Sequence, residues 1–287
     1  MGLIGGSIGL RARTLGWKTI GWDRDAAVAS AACASGALSS RASSLLALAA
    51  RAEVLVLAGP VDATIAQLAE LAEIPGGALA ALVLDVGSVK APIARAGRKL
   101  PAFVPTHPIA GSEKRGPESA RADLFVDRTW AYDPELHPEA GRRAPDFIAA
   151  MGARAYAIGS EEHDRLVALT SHLPQILSVA LGARLRAALD EPATTALCGP
   201  GMRSMLRLAQ SSFSMWGPVL AANAQPVAQE VRALAAILSM AASALESGAT
   251  GDLGGLFDRA AASAAALAAN DAGPSVVTRA KDVTDER

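Results

Sequence analysis

Gly2-Leu3-Ile4-Gly5-Gly6-Ser7 opens the chain, and one helix length later comes the strand-like run Lys18–Asp23, KTIGWD. Glycines at such a turn let backbone approach a pyrophosphate, and the helix they open offers unpaired N–H groups and the positive end of its dipole. Asp23 stands about 20 residues on, at the end of the next strand. A carboxylate there accepts hydrogen bonds from the ribose hydroxyls of NAD and repels the 2′-phosphate of NADP. Arg24 weakens that exclusion, because a guanidinium can pair with the phosphate instead. The pattern predicts a dinucleotide site, with NAD ahead of NADP, that uses Gly2, Leu3, Ile4, Gly5, Asp23 and Arg24. Gly59 and Pro60, after a later strand, join them. A full glycine fingerprint needs one more glycine before Met1, and a strand before that. That strand lies mid-sheet in this fold, so the expectation is a start roughly ten residues inside the gene product. The simpler reading is a helix that merely begins with flexible glycines. An apolar strand ending in Gly-x, encoded upstream in frame, would separate the two.

Outward from this stretch, short apolar strands alternate with alanine-rich helices. Glu53–Ala58, Ala81–Val86 and Phe103–Thr106 read as strands, with Thr129–Tyr132 and Ala153–Ile158 as two more. Asp25–Ala34 and Val61–Leu71 carry helical spacing. Strands apolar on both faces predict a parallel sheet covered on both sides. After Gly159 no strand pattern returns. Glu161–Leu189 reads as one long helix with Ser160 as its cap, followed by helical stretches over Gly201–Gln210, Gly217–Leu245 and Leu253–Ala269. The fold class is therefore an α/β Rossmann-type doubly wound sheet over residues 1–159, then an all-α domain over 160–287. The alanine-rich apolar helices of that second half point to burial against another copy, a homodimer. Asp271–Arg287 is polar and expected to fray.

Composition narrows the function. Hydrophobic residues are 51% and charged residues 19% of the 287, which supplies a core and excludes a disordered or disulfide-stapled chain. A net charge of −1 gives no field to recruit nucleic acid or an anionic membrane. Cys33 and Cys198 stand alone, as in a reduced compartment. The opening lacks a basic leader region, and every long apolar run is interrupted by Gly, Pro or charge. The expectation is a cytoplasmic protein without a metal site or a triphosphatase phosphate loop.

Two loops fall where such a sheet presents ligands, at the carboxyl ends of strands: Asp85-Val86-Gly87-Ser88-Val89-Lys90 and Thr106-His107-Pro108-Ile109-Ala110-Gly111-Ser112-Glu113. The chain has four histidines, and His107 is the one placed to take a proton near neutrality. DVGSVK, HPIAGSE, then SHLPQ at Ser171–Gln175, then Arg207-Leu208-Ala209 and Met215-Trp216, in that order, resemble the prephenate dehydrogenase family, which includes arogenate and cyclohexadienyl dehydrogenases.

The resemblance implies oxidative decarboxylation of a cyclohexadienol in tyrosine biosynthesis, with hydride passing to NAD and CO2 leaving as the ring aromatises. It gives His107 the hydroxyl proton, and Ser88 the orientation of that hydroxyl or of His107. It gives Arg207 the dianionic substrate, His172 and Gln175 the helix that faces the nicotinamide, and Glu113 the cleft mouth. Some relatives carry histidine at position 175, and many carry an aspartate where this chain has Ser204. His137 and His163 fit no role and read as surface or helix-cap residues. Prephenate and arogenate are not separable from these residues. The alternatives are a related two-domain hydroxy-acid or imine reductase, which would not need HPIAGSE, and a non-catalytic dinucleotide-binding relative, which would bind NAD without turnover.

Overall fold

A computed structural model describes residues 1–74, 80–111 and 116–271, and these fall into two compact units that divide after Val231. In the first unit β1 (Ile20–Gly21) pairs in parallel with β2 (Ser40–Arg41). A second parallel sheet orders β3 (Val54–Leu57), β4 (Leu82–Asp85) and β5 (Phe103–Val104). In a third, β6 (Thr106–Pro108) runs antiparallel to β7 (Thr129–Tyr132), which pairs in parallel with β8 (Arg154–Ala157). The single parallel sheet of the sequence reading is thus three short ones, one of them mixed. The expected strand Phe103–Thr106 divides at Pro105, which has no N–H for a ladder; β5 stays on β4, and β6 turns to β7.

Strand β4 shows why both faces of the sheet are covered. Side chains alternate along a strand, so Leu82 and Leu84 enter one core with Phe125, Trp130, Phe147, Ile148 and Met151. Val83 enters the other, with Leu55, Leu68, Leu71, Ile93 and Phe103. The first helix, Leu3–Thr14, lies close against its surroundings. A Cβ on Gly5 would stand 3.1 Å from that of Ala58, and one on Gly9 would stand 2.5 Å from the carbonyl oxygen of Ala37, so glycine is the residue that fits there.

The long helix expected over Glu161–Leu189 runs as Ser160–Val167, one wide turn over Ala168–His172 and Leu173–Arg186. Pro174 supplies the reason: it cannot donate to the carbonyl four residues back, and the turn widens. Ser160 does not cap this helix with its side chain, as the sequence suggested. Gly159 is the cap residue, and Asp133 Oδ2 accepts from Ser160 N at 2.9 Å and from its hydroxyl at 2.6 Å. The stretch expected as Gly217–Leu245 is two helices, Phe213–Ala222 and Ala224–Glu246, parted at Asn223 ahead of Pro226.

In the second unit a 3-10 turn, Thr250–Leu253, leads into the helix Gly254–Asp271. Ile237, Leu238, Met240 and Leu245 on the helix Ala224–Glu246, and Phe257 and Leu267 on the helix Gly254–Asp271, are exposed. Among the described residues two stretches, Ser160–Arg186 and Ala224–Glu246, are long and apolar enough to cross a membrane by length and composition. The first buries His163, Asp164, His172 and Gln175 inside the protein, as a core helix does.

Candidate active site

Strand β4 ends on Asp85, which is fully buried, and the loop after it returns Lys90, also buried, to the same place. Lys90 Nζ contacts Asp85 Oδ2 and donates to the carbonyl of Thr106 at 2.6 Å. Asp85 also accepts from Gly87 N at 2.8 Å and Thr106 N at 2.9 Å. The Thr106 hydroxyl donates to the Asp85 carbonyl and accepts from Trp130 Nε1 at 2.9 Å. Burial pushes the Asp85 carboxyl up and the Lys90 ammonium down, and their mutual attraction opposes both shifts. Thr106 is therefore held at its N–H, its carbonyl and its side chain. The next residue is His107, so the clamp fixes the backbone that carries the candidate base.

The His107 ring is held from the helical half. Its Nδ1 lies 2.9 Å from Nε2 of His163, whose Nδ1 lies 2.8 Å from Asp164 Oδ1. Asp164 in turn accepts from Lys90 N at 2.6 Å and Ala91 N at 2.8 Å, at the start of the helix Ala91–Gly97. Asn223 Nδ2 donates to the Asp164 carbonyl at 2.8 Å and lies 3.2 Å from Nδ1 of His172. An amide N–H can only donate, so His172 Nδ1 accepts and its Nε2 carries the hydrogen.

Burial first, then the neighbouring His163, Lys90 and His172, hold His107 well below the ordinary histidine value. Burial likewise lowers His172 to about 4. Both rings are neutral at pH 7. Unfolded histidines titrate near 6.5, so between about pH 6.5 and 4 the unfolded chain binds the more protons. This contribution to stability is complete above that window and is lost as the pH falls through it. Thermal melts should show Tm dropping below about pH 6.5, with a shallower fall for His172→Gln; equal slopes would refute the assignment.

Gln175 and Ser178 staple the segment that carries Arg207 to the helix of His172. Gln175 Nε2 donates to the Leu208 carbonyl at 2.9 Å, and the Ser178 hydroxyl donates to that of Met205 at 2.7 Å. Arg207 itself is exposed between these anchors. The Trp216 ring stands edge-on to His172 at 5.7 Å. Gln175 Oε1 and Trp216 Nε1 are buried without a hydrogen-bond partner, one acceptor and one donor in the neighbourhood of His172.

A cavity of about 140 Å3 opens between the ends of β1 and β3. Met1, Trp22, Asp23, Arg24, Gly59 and Pro60 are among its walls. Gly2 caps the first helix beside Met1 with no Cβ in the way, and Gln67 Oε1, another buried atom without a partner, is in the wall. Asp23 Oδ1 accepts from Asp25 N at 3.0 Å, beside Arg24. An ionised acceptor, a bare helix start and an unsatisfied amide oxygen fit the ribose and pyrophosphate of a dinucleotide.

The structure thus gathers Asp23, Arg24, Gly59 and Pro60 around one cavity, with Gly2, Leu3, Ile4 and Gly5 at the head of the adjoining helix. It joins half-buried His107 to buried His163, Asp164, His172 and Lys90 in one network. Ser88 lies half-buried after β4, but the residue on Nδ1 of His107 is His163, not Ser88. Glu113 lies outside the described residues. His163 is corrected from a surface or cap residue: it is 2% exposed and bonded on both ring nitrogens. Asp164 and Asn223 were missed with it. The available signal was the spacing of Ser160, His163, Asp164, His172, Gln175 and Ser178 along one helical face.

The family model for the prephenate dehydrogenase nucleotide-binding domain matches residues 8–157, and that for the prephenate dehydrogenase dimerization domain matches residues 159–259. A probable prephenate dehydrogenase, NovF, of Streptomyces niveus is 35% identical over 175 residues, 59% of this chain and 48% of the relative. The chain spans about half the length of the curated relatives it matches. Among solved structures, prephenate dehydrogenase from Aquifex aeolicus superposes with a TM-score of 0.82 at 22% identity, over 91% of this chain and 95% of that one. Arogenate dehydrogenase of Synechocystis gives 0.78 at 23%, over 93% and 97%. The two family models together cover most of the chain, and the protein belongs to the prephenate dehydrogenase family.

Proposed function

We propose that the chain catalyses NAD-dependent oxidative decarboxylation of prephenate or arogenate, the step that forms the phenol ring in tyrosine biosynthesis. The observation that carries this reading is His107. It is a neutral imidazole fixed on a clamped strand, bonded through Nδ1, with Nε2 left to act as base. Asp23, Gly59 and the helix start at Gly2 would hold NAD, which would supply the hydride acceptor when bound. The substrate O–H proton goes to His107 Nε2 as the C–H bond breaks and its electron pair leaves as hydride. When the ring C–CO2 bond breaks, its pair completes the aromatic ring and the proton returns to the oxygen. No proton is released overall, so the protein needs one base of suitable position rather than a proton channel.

His172 presents Nε2–H as a neutral donor, and Gln175 Oε1 and Trp216 Nε1 supply a further acceptor and donor for the substrate side chain. Gln175 offers both amide polarities, which accords with either a keto or an ammonium group there. Arg207 meets a carboxylate of the dianion. Arg207→Gln should raise the substrate KM with a smaller change in kcat, and an unchanged KM would remove it from the site. The exposed apolar side chains of the second unit accord with a homodimer, and the resemblance to biosynthetic enzymes with a cytoplasmic location.

NADH formation measured with prephenate and arogenate in parallel, each with NAD and NADP, tests the reading. Turnover with either substrate supports it and ranks the cofactors. NAD binding without turnover on either would overturn it in favour of the non-catalytic alternative.

A further inference from the structure

We infer that His163 and Asp164 form a tautomer lock for His107, an imidazole and a carboxylate in series that force the lone pair of the base onto Nε2. This deepens the dehydrogenase reading and rests on it. The argument runs from the outer end. Asp164 accepts from two backbone N–H groups, Lys90 and Ala91, and a carboxylate in such a setting only accepts. His163 Nδ1, at 2.8 Å from the same carboxylate, must therefore carry a hydrogen. A neutral His163 then has its lone pair on Nε2, which faces His107 Nδ1 at 2.9 Å, so the hydrogen in that contact belongs to His107. Its remaining nitrogen, Nε2, is left as an acceptor.

A doubly protonated His163 would reverse the contact, place the hydrogen of His107 on Nε2 and remove the base. His163 is 2% exposed and Asp164 3%, so water does not compete for these bonds. The lock also favours the reaction step itself. When Nε2 takes the substrate proton, His107 becomes an imidazolium whose Nδ1–H already points at the His163 lone pair. Buried charge is stabilised by a bond made beforehand. His163 is a positioning residue, because it acts through His107 and touches no reacting atom.

The test combines kinetics with the nitrogen NMR signature of histidine tautomers. In the wild-type protein, 15N-labelled on histidine, His107 should show a protonated Nδ1 and an unprotonated Nε2. A protonated Nε2 on neutral His107 would overturn the lock. His163→Leu should lower kcat about 10²-fold while the substrate KM and NAD affinity stay within about twofold. His163→Gln, whose amide reaches as far as ring Nε2 and can accept there, should recover most of that loss. Equal losses in Leu and Gln, or full kcat in a folded Leu variant, would overturn the proposal. If the Leu variant does not fold, the Gln variant and the wild-type spectrum still decide it. A wild-type protein inactive on both substrates would instead count against the dehydrogenase reading, while the tautomer measurement stands independently.

Discussion

His107→Asn should lower turnover with the preferred substrate by about 10²–10⁴-fold, the range for removal of a general base. The substitution is chosen for what it keeps. An asparagine side-chain nitrogen falls near the place of Nδ1 and can still donate to His163 Nε2, the contact of 2.9 Å. It has nothing at the position of Nε2. Thr106 remains clamped by Asp85, Lys90 and Trp130, so the strand keeps its place. Asp23, Gly59 and Pro60 lie around the separate cavity between β1 and β3, so NAD affinity should change by less than about twofold. Stopped-flow or steady-state NADH formation gives the rate, fluorescence titration gives the binding, and a melt checks the fold. Parallel losses in rate, NAD binding and Tm would make His107 a structural residue and remove the base from the mechanism.

Lys90→Met should be the most damaging change to stability. Asp85 is 0% exposed, and the substitution leaves its carboxylate without its cation while adding nothing that can donate. Breaking one side of a buried pair costs about 3–5 kcal/mol, against typical total stabilities of about 5–15 kcal/mol. Tm should fall by roughly 10 °C. Asp85→Asn combined with Lys90→Met should be less harmful than the sum of the two single changes, because the orphaned charge is gone. A single-variant loss below about 1 kcal/mol, or strict additivity, would mean that the pair contributes little.

The doubly covered sheet and the helical second half were legible because they rest on local patterns: apolar strands of four residues, and long alanine-rich runs. His107 and the glycine start stood out as candidates because each lies at a strand or helix terminus, the places where side chains and backbone can face a ligand. The sheet breaks were harder, since β5 and β6 read as one run and only Pro105 marks the change of partner. Short elements such as Leu45–Ala49 and Ala91–Gly97 went unread, because tertiary contacts hold them more than propensity does. His163 was misread for a related reason. In Ser160-Glu161-Glu162-His163-Asp164-Arg165 it sits among charges that resemble a solvated first turn. Its burial comes from a contact with a strand residue 56 positions earlier. The helical period marks that face as one to be buried but does not name the partner that buries it.

Asp164 has a consequence for how this protein could be re-engineered. Its side chain reaches from the helix Ser160–Val167 to the backbone N–H groups of Lys90 and Ala91, while the next residue back holds the base. A chimera joined at Gly159, with the helical portion taken from a relative to import a new specificity, therefore imports the support of His107 as well. The donor must bring its own imidazole and carboxylate at these two positions, and must seat that carboxylate on a foreign loop. Substrate choice and base competence are inherited as one cassette, and a crossover set between Asp164 and His172 would let the first vary while the second stays native.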